Sequence, residues 1–241
     1  MTDIHIILQG KGGVGKSVVA SFITQYLLEK GKSVSAFDTD PVNKTFAGYE
    51  ALDVKRVEIM DGEDINPRKF DDLIEEIAEI KVDAVVIDNG ASSFVALASY
   101  LNSNDVVNVL ESMGHKVFIH SILTGGQAQK DTLQGFSVIA KSFGSSKGAI
   151  VVWLNEFWGE VNSDGKGFEQ MKVYKDNVDA IHAIVTIPSQ KTATFGQDMS
   201  LMLTAKLTFD EALNGGEFQL MAKQRIKMIK RDLFDNMSVA I

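Results

Sequence analysis

The stretch LQGKGGVGKSVV, residues 8–19, constrains the fold more than any other part of the chain. It holds the pattern G-x-x-x-x-G-K-[ST] from Gly10 to Ser17, after the apolar run IHIIL at 4–8 and before helical periodicity through Phe22, Ile23, Tyr26 and Leu27. Strand, glycine loop and helix in that order make a cradle for phosphate. Gly12, Gly13 and Gly15 let backbone N–H groups turn inward, and a helix beginning near Lys16 adds the positive end of its dipole. In such a loop Lys16 lies against the β and γ phosphates of a nucleotide and the Ser17 hydroxyl takes a place on Mg²⁺. Gly10, Val14 and Val18 complete the segment expected to surround the phosphates. One cation satisfies this arrangement, so Lys11 is surplus.

Short apolar runs recur along the rest of the chain: VSAF at 34–37, AVVI at 84–87, VFI at 117–119, IVVWL at 150–154 and AIVTI at 183–187. Runs apolar on both faces and separated by helical patterns predict an α/β fold with a mostly parallel sheet covered by helices on both sides. Gly31 reads as the C-cap of the first helix, and Asn66 with Pro67 announces another, whose buried face is Phe70, Leu73, Ile74 and Ile77. FGSSKG at 143–148 reads as a turn, NEFWGEVNSDGKGF at 155–168 as a loop of unusual length, and the pairs Gly125-Gly126 and Gly215-Gly216 as turns before helices. No linker or repeat divides the 241 residues, so a single nucleotide-binding domain over 1–241 is expected, with a C-terminal helix over 217–237.

Composition removes several classes. The chain has no cysteine, which excludes disulfides, cysteine-held iron–sulfur clusters and thiol chemistry. A net charge of -8 argues against a protein that coats nucleic acid over its whole surface. No apolar run approaches the ~18 residues of a membrane span, and MTDIHIIL lacks the features of a signal peptide, so a soluble, cytoplasmic protein is expected. His5, His115, His120 and His182 are scattered without metal-ligand spacing, and core or surface roles are expected for each. Trp153 reads as core, whereas an exposed Trp158 would suit a docking surface.

Two strand ends are acidic. VDAVVID ends in Asp88, placed where a carboxylate at the carboxyl edge of a parallel sheet orients a Mg²⁺-bound water. SAFDTDP carries Asp38 and Asp40. Asp40, at the start of the loop, is the better candidate for holding the attacking water, although a carboxylate there can equally cap a turn.

Lys11 within KGGVGKS, with DTDP after the second strand, resembles the deviant Walker-A P-loop ATPases that include ParA and MinD. That resemblance implies a P-loop NTPase fold, ATP and Mg²⁺ as ligands, and a nucleotide-bound homodimer in which Lys11 reaches the phosphates held by the other subunit. It also implies that Asn155 recognises adenine and that Pro188 lies beside the base. Asn89, Gly90 and Ala91 follow Asp88 where that family often has threonine and prolines. More narrowly, QGKGGVGKSVVA, DTDPVNKTFAGY, VVIDNGASSF, TGGQAQKDTLQGF and VVWLNEFWG together resemble TraL-type proteins of conjugative plasmids. This implies a slow, partner-stimulated ATP hydrolase whose protein partner belongs to the conjugation machinery. Plasmid partition or positioning is the alternative.

The stretch EFQLMAKQRIKMIKRDLF places Phe218, Ala222, Ile226, Ile229 and Leu233 on one helical face, with Lys223, Arg225, Lys227, Lys230 and Arg231 among them. A final helix packed on the sheet is the commonest outcome for such a pattern; a basic face for nucleic acid and a membrane-surface helix are less favoured. A small-molecule kinase is a further functional alternative, but Arg56, Arg68, Arg225 and Arg231 do not cluster as a phosphate-covering lid would require.

Overall fold

In the computed structural model residues 1–144 and 149–241 are described, so most of the expected 143–148 turn lies outside the described residues. β1 (Asp3–Ile7) leads through the glycine loop into α1 (Lys16–Glu29), and β2 (Val34–Asp38) follows. A short edge strand, β3 (Lys55–Arg56), and a hairpin of β4 (Met60–Asp61) and β5 (Asp64–Ile65) precede α2 (Lys69–Glu79) and β6 (Ala84–Asp88). Next come α3 (Phe94–Ser103), α4 (Val106–Ser112), β7 (Lys116–Thr124), α5 (Gln129–Phe143) and β8 (Ile150–Asn155). A second hairpin, β9 (Asn162–Ser163) with β10 (Lys166–Gly167), and the short α6 (Lys172–Lys175) lead to β11 (Ile181–Ile187), and the chain closes with α7 (Gln197–Thr204), α8 (Phe209–Asn214) and α9 (Leu220–Met237).

Seven of these strands form one parallel sheet in the order β11-β8-β7-β1-β6-β2-β3. β1 is central, and its end aligns with the ends of both neighbours on one side: Ile7 pairs with Asp88, and Asp88 with Asp38. The glycine loop therefore leaves the middle of the sheet's carboxyl edge beside two successive strands whose last residues are acidic, where open α/β sheets hold ligands.

Each face of the sheet has its own apolar layer. Ile4, Ile6, Val85 and Ile87 pack against Phe70, Leu73, Phe94, Leu97, Phe136 and Ile139 from α2, α3 and α5. On the other face Ile7, Val86, Ile122 and Trp153 meet Phe22 and Ile23 of α1, Met202 of α7, Phe209 of α8 and Ile226 and Leu233 of α9. Each such side chain contributes roughly 1.5–3 kcal/mol on full burial, which is why the strands are apolar on both sides.

All six expected strands are present, and Gly31 closes α1 in the left-handed conformation. Asn66 accepts from the Arg68 N–H at 3.0 Å in the turn ahead of α2, but the helix starts at Lys69, so Arg68 and not Asn66 is its N-cap. Three further elements differ from the sequence reading. β7 continues through His120, Ser121 and Thr124, because these polar residues are buried and do not end the strand. The 155–168 stretch is not one loop: Asp164 and Gly165, both at positive φ, turn the small β9–β10 hairpin inside it. α9 starts at Leu220, three residues later than expected.

Candidate functional site

Gly13 and Gly15 have φ of 74° and 100°, and Gly15 is the N-cap of α1 with no side chain capping the helix and no acidic residue in its first turn. The first N–H groups of α1 and the loop amides are thus left to an anion. Lys16 is buried and its Nζ donates to the Lys11 carbonyl at 3.0 Å, so the ammonium lies back across its own loop. Burial lowers its pKa, while Asp88 and then Asp40 act in the opposite direction.

Asp88 is almost fully buried, and among the described residues its Oδ1 has no hydrogen-bond partner. Burial pushes its pKa up to about 7; the Ser17 hydroxyl and Lys16 oppose the shift, whereas Asp38 and Asp40 add to it. An orphaned, partly neutralised carboxylate beside a serine hydroxyl and a lysine fits a site completed by a hydrated cation.

The two acidic residues after β2 have different tasks. Asp38 is buried: Oδ1 accepts from the Asp40 N–H at 2.9 Å, and Oδ2 from the N–H groups of Phe46 at 3.2 Å and Ala47 at 2.9 Å. Its carboxylate folds the following loop back onto the strand, and burial raises its pKa against those hydrogen bonds. Asp40 is half-buried and caps its own turn, its Oδ1 accepting from Val42 N–H at 2.9 Å and Asn43 N–H at 3.1 Å. The Asp40 carboxylate also packs on Gly90, where an added Cβ would lie 2.6 Å from its Cγ. Both readings of Asp40 thus stay compatible with its place: it caps a turn and borders the Lys16–Asp88 cluster. Asn89 is locked beside it, accepting from Ser93 Oγ at 2.7 Å and Thr39 Oγ1 at 3.2 Å.

The base side of the site is built from β8 and β11. Asn155, Pro188, Val18, Gly13 and Gly15 line one cavity of about 500 Å³ with Phe157 and Trp158. Asn155 Nδ2 donates to the Val14 carbonyl at 2.9 Å, and its Oδ1 accepts from the Phe157 N–H at 3.2 Å. This amide therefore ties the phosphate loop to the end of β8.

Lys11 points elsewhere. Its Nζ pairs with Asp131 Oδ2 at 2.8 Å on α5, the two side chains being 43% and 52% exposed. The Lys11 hydrogen bond holds the Asp131 carboxyl below its usual range. Sequence reasoning also missed Gln9, which is buried and donates to the carbonyls of Ile122 at 2.9 Å and Thr132 at 3.2 Å, fixing the entry to the loop. No local pattern marks it.

The basic residues of α9 are mostly engaged within the chain. Arg225 pairs with Asp198, Lys230 with Glu29 and Asp210, and Arg231 with Asp232, while Lys223 donates to the Gly215 carbonyl. Together with the burial of Ile226, Ile229 and Leu233, this is the packed-helix outcome. Among the described residues no helix is long and apolar enough to cross a membrane.

Comparison with known proteins agrees with this geometry. Residues 5–213 match the model of the CobQ/CobB/MinD/ParA nucleotide binding domain. The chain is 50% identical to a Protein TraL of Escherichia coli over 240 residues, covering 100% of this chain and 99% of that protein. A second Escherichia coli Protein TraL is 51% identical over 234 residues, covering 97% and 96%. Among solved structures, the septum site-determining protein MinD complexed with Mg-ADP from Pyrococcus horikoshii OT3 superposes with a TM-score of 0.57 at 18% identity, covering 96% of each chain. At that identity the likeness shows the shared fold.

Proposed function

Since the chain belongs to the CobQ/CobB/MinD/ParA family of nucleotide-binding domains, we propose that it is an ATP-controlled switch that dimerises with ATP and acts with a protein partner in plasmid conjugal transfer. The observation that carries this reading is the division of labour between the two lysines. Lys16 lies within its own loop, whereas Lys11 is turned outward onto Asp131.

In this reading the loop amides and Lys16 hold the β and γ phosphates, and the open N-terminus of α1 favours their charge. Ser17, and Asp88 through a water, would hold Mg²⁺, which would supply positive charge against the phosphates. Asp40 positions water at the γ phosphate. Lys11 leaves Asp131 and crosses to the phosphates of a second copy, where an added cation offsets the repulsion of two facing triphosphates. Slow hydrolysis, stimulated by the partner, then reopens the dimer. The internal pairing of α9 argues against nucleic acid or membrane contact through this helix.

Sizing the purified protein with ATP, ADP or no nucleotide tests the switch. A dimer is expected with ATP alone. Lys11→Ala should retain ADP affinity, measured by calorimetry, yet stay monomeric with ATP; a variant that still dimerises normally removes the role assigned to Lys11.

A further inference from the structure

The 500 Å³ cavity runs from Gly13 and Gly15 to two aromatic residues that face solvent. Phe157 and Trp158 are 56% and 60% exposed, although both are large apolar side chains. They pack edge to face with ring centroids 4.7 Å apart. Their turn, Glu156–Trp158, is held from both ends. Asn155 Oδ1 accepts the Phe157 N–H, and the Trp158 carbonyl lies against Gly126, where an added Cβ would come within 3.0 Å of it. Gly126 is at φ 67°, so a side chain there would be strained by conformation as well as crowded. The backbone that carries the aromatic pair is thus held at the cavity mouth.

The lining at this end is apolar, with Ile187, Pro188 and Leu203 below the aromatic residues. Such walls do nothing for phosphate; they suit a flat, weakly polar ring. The Asn155 amide also donates to the Val14 carbonyl, so one side chain sets the distance between the phosphate loop and the aromatic turn. Building on the nucleotide reading above, we infer that the Glu156–Trp158 turn is the base wall of the site, and that the Trp158 indole stacks on the nucleobase of the bound nucleotide. Phe157 supports the indole edge-on, and Asn155 positions both. Because every base has a π face, this wall supplies affinity, and choice among bases falls to the polar groups beside it.

The two tryptophans allow a direct test. Trp153 is 0% exposed and donates to His120 Nδ1 at 2.9 Å, so its emission is a constant, shielded background. Acrylamide quenching of the full chain then reports Trp158. ADP should shield Trp158, whereas pyrophosphate, which fills the phosphate cradle without a base, should leave it accessible. ADP and pyrophosphate both avoid the ATP-dependent dimer as a source of shielding.

Trp158→Ala should weaken ADP about tenfold with pyrophosphate affinity unchanged, and Trp158→Phe should restore ADP binding to within about threefold of the parent. Equal shielding by pyrophosphate, or calorimetric ADP binding with Trp158 still accessible, overturns the base wall and leaves the phosphate loop standing. If neither ligand binds, the nucleotide reading falls and the base wall with it.

Discussion

Two buried polar clusters lie on the same sheet, and only one of them adjoins an uncapped helix start. At the carboxyl edge Asp88 sits beside Lys16 and Ser17 with one oxygen unpaired. In mid-sheet, Trp153 donates to His120 Nδ1, and His120 Nε2 meets His5 Nδ1 at 3.0 Å. Indole N–H is a donor only, so neutral His120 carries its proton on Nε2 and gives it to His5, which then carries its own on Nε2. That last N–H is unpaired among the described residues, so each cluster has one orphan. The surroundings separate them. The His5 ring is stacked on Phe118 at 5.3 Å and is neutral, whereas the Asp88 carboxylate meets Ser17 in the first turn of an uncapped helix that follows glycines at positive φ. Buried polarity alone does not mark a site; open backbone donors next to it do.

Exchanging one residue from each cluster should separate binding from stability. Lys16→Ala removes charge-assisted hydrogen bonds to phosphate and should weaken ADP by up to about 100-fold in calorimetry, about 3 kcal/mol. Trp153→Phe leaves the buried His120 Nδ1 without a donor and should cost about 1–3 kcal/mol in urea unfolding, with ADP affinity within about twofold of the parent. Loss of ADP binding in Trp153→Phe would mean that the two clusters act as one.

The clusters also have opposite pH signatures. Burial pushes His5 down to about 3 from 6.5, and burial, His5 and His182 push His120 down as well. The unfolded chain takes up these protons first, so this cluster loses stability as pH falls below 6.5. Asp88 acts the other way: its unfolded carboxyl ionises near 3.8 and its folded one near 7, so its contribution declines as pH rises across that interval. Imidazole nitrogen shifts in NMR should therefore report neutral His5 and His120 at about pH 5. The unfolding free energy of the nucleotide-free parent, relative to Asp88→Asn, should fall between about pH 5 and 7.5.

The glycine loop and six strands were legible because each is written in contiguous residues. The contacts that give the site its shape are not. Asn155 reaches Val14 across 141 positions, Lys11 reaches Asp131 across 120, and Trp153 reaches His120 across 33. Nothing near Asp131 or Gln9 distinguishes them from surface residues, since their partners arrive only when β1, β7 and α5 assemble. Polar residues also hid the carboxyl half of β7, because His120 looks like an interruption until its ring is seen between Trp153 and His5. The β9–β10 hairpin was readable in principle: Asp164-Gly165 is a strong two-residue turn signal that the length of the surrounding loop obscured.

The smallest expected effect bears on the contact that joins the phosphate loop to α5. The Lys11–Asp131 pair is about half exposed on both sides, and solvent screens such pairs strongly. For Lys11 to serve a neighbouring copy, that pair must open first. Asp131→Asn should therefore lower the ATP concentration needed for half-dimerisation by at most about fivefold, while apo unfolding stays close to that of the parent. Screening should mimic the substitution: near 1 M salt, where the Debye length is about 3 Å, the difference between parent and variant should shrink. If Asp131→Asn instead weakens the dimer at every salt concentration, the carboxylate belongs to the closed interface. Lys11 would then keep its partner on α5 in both states and would not be free to cross.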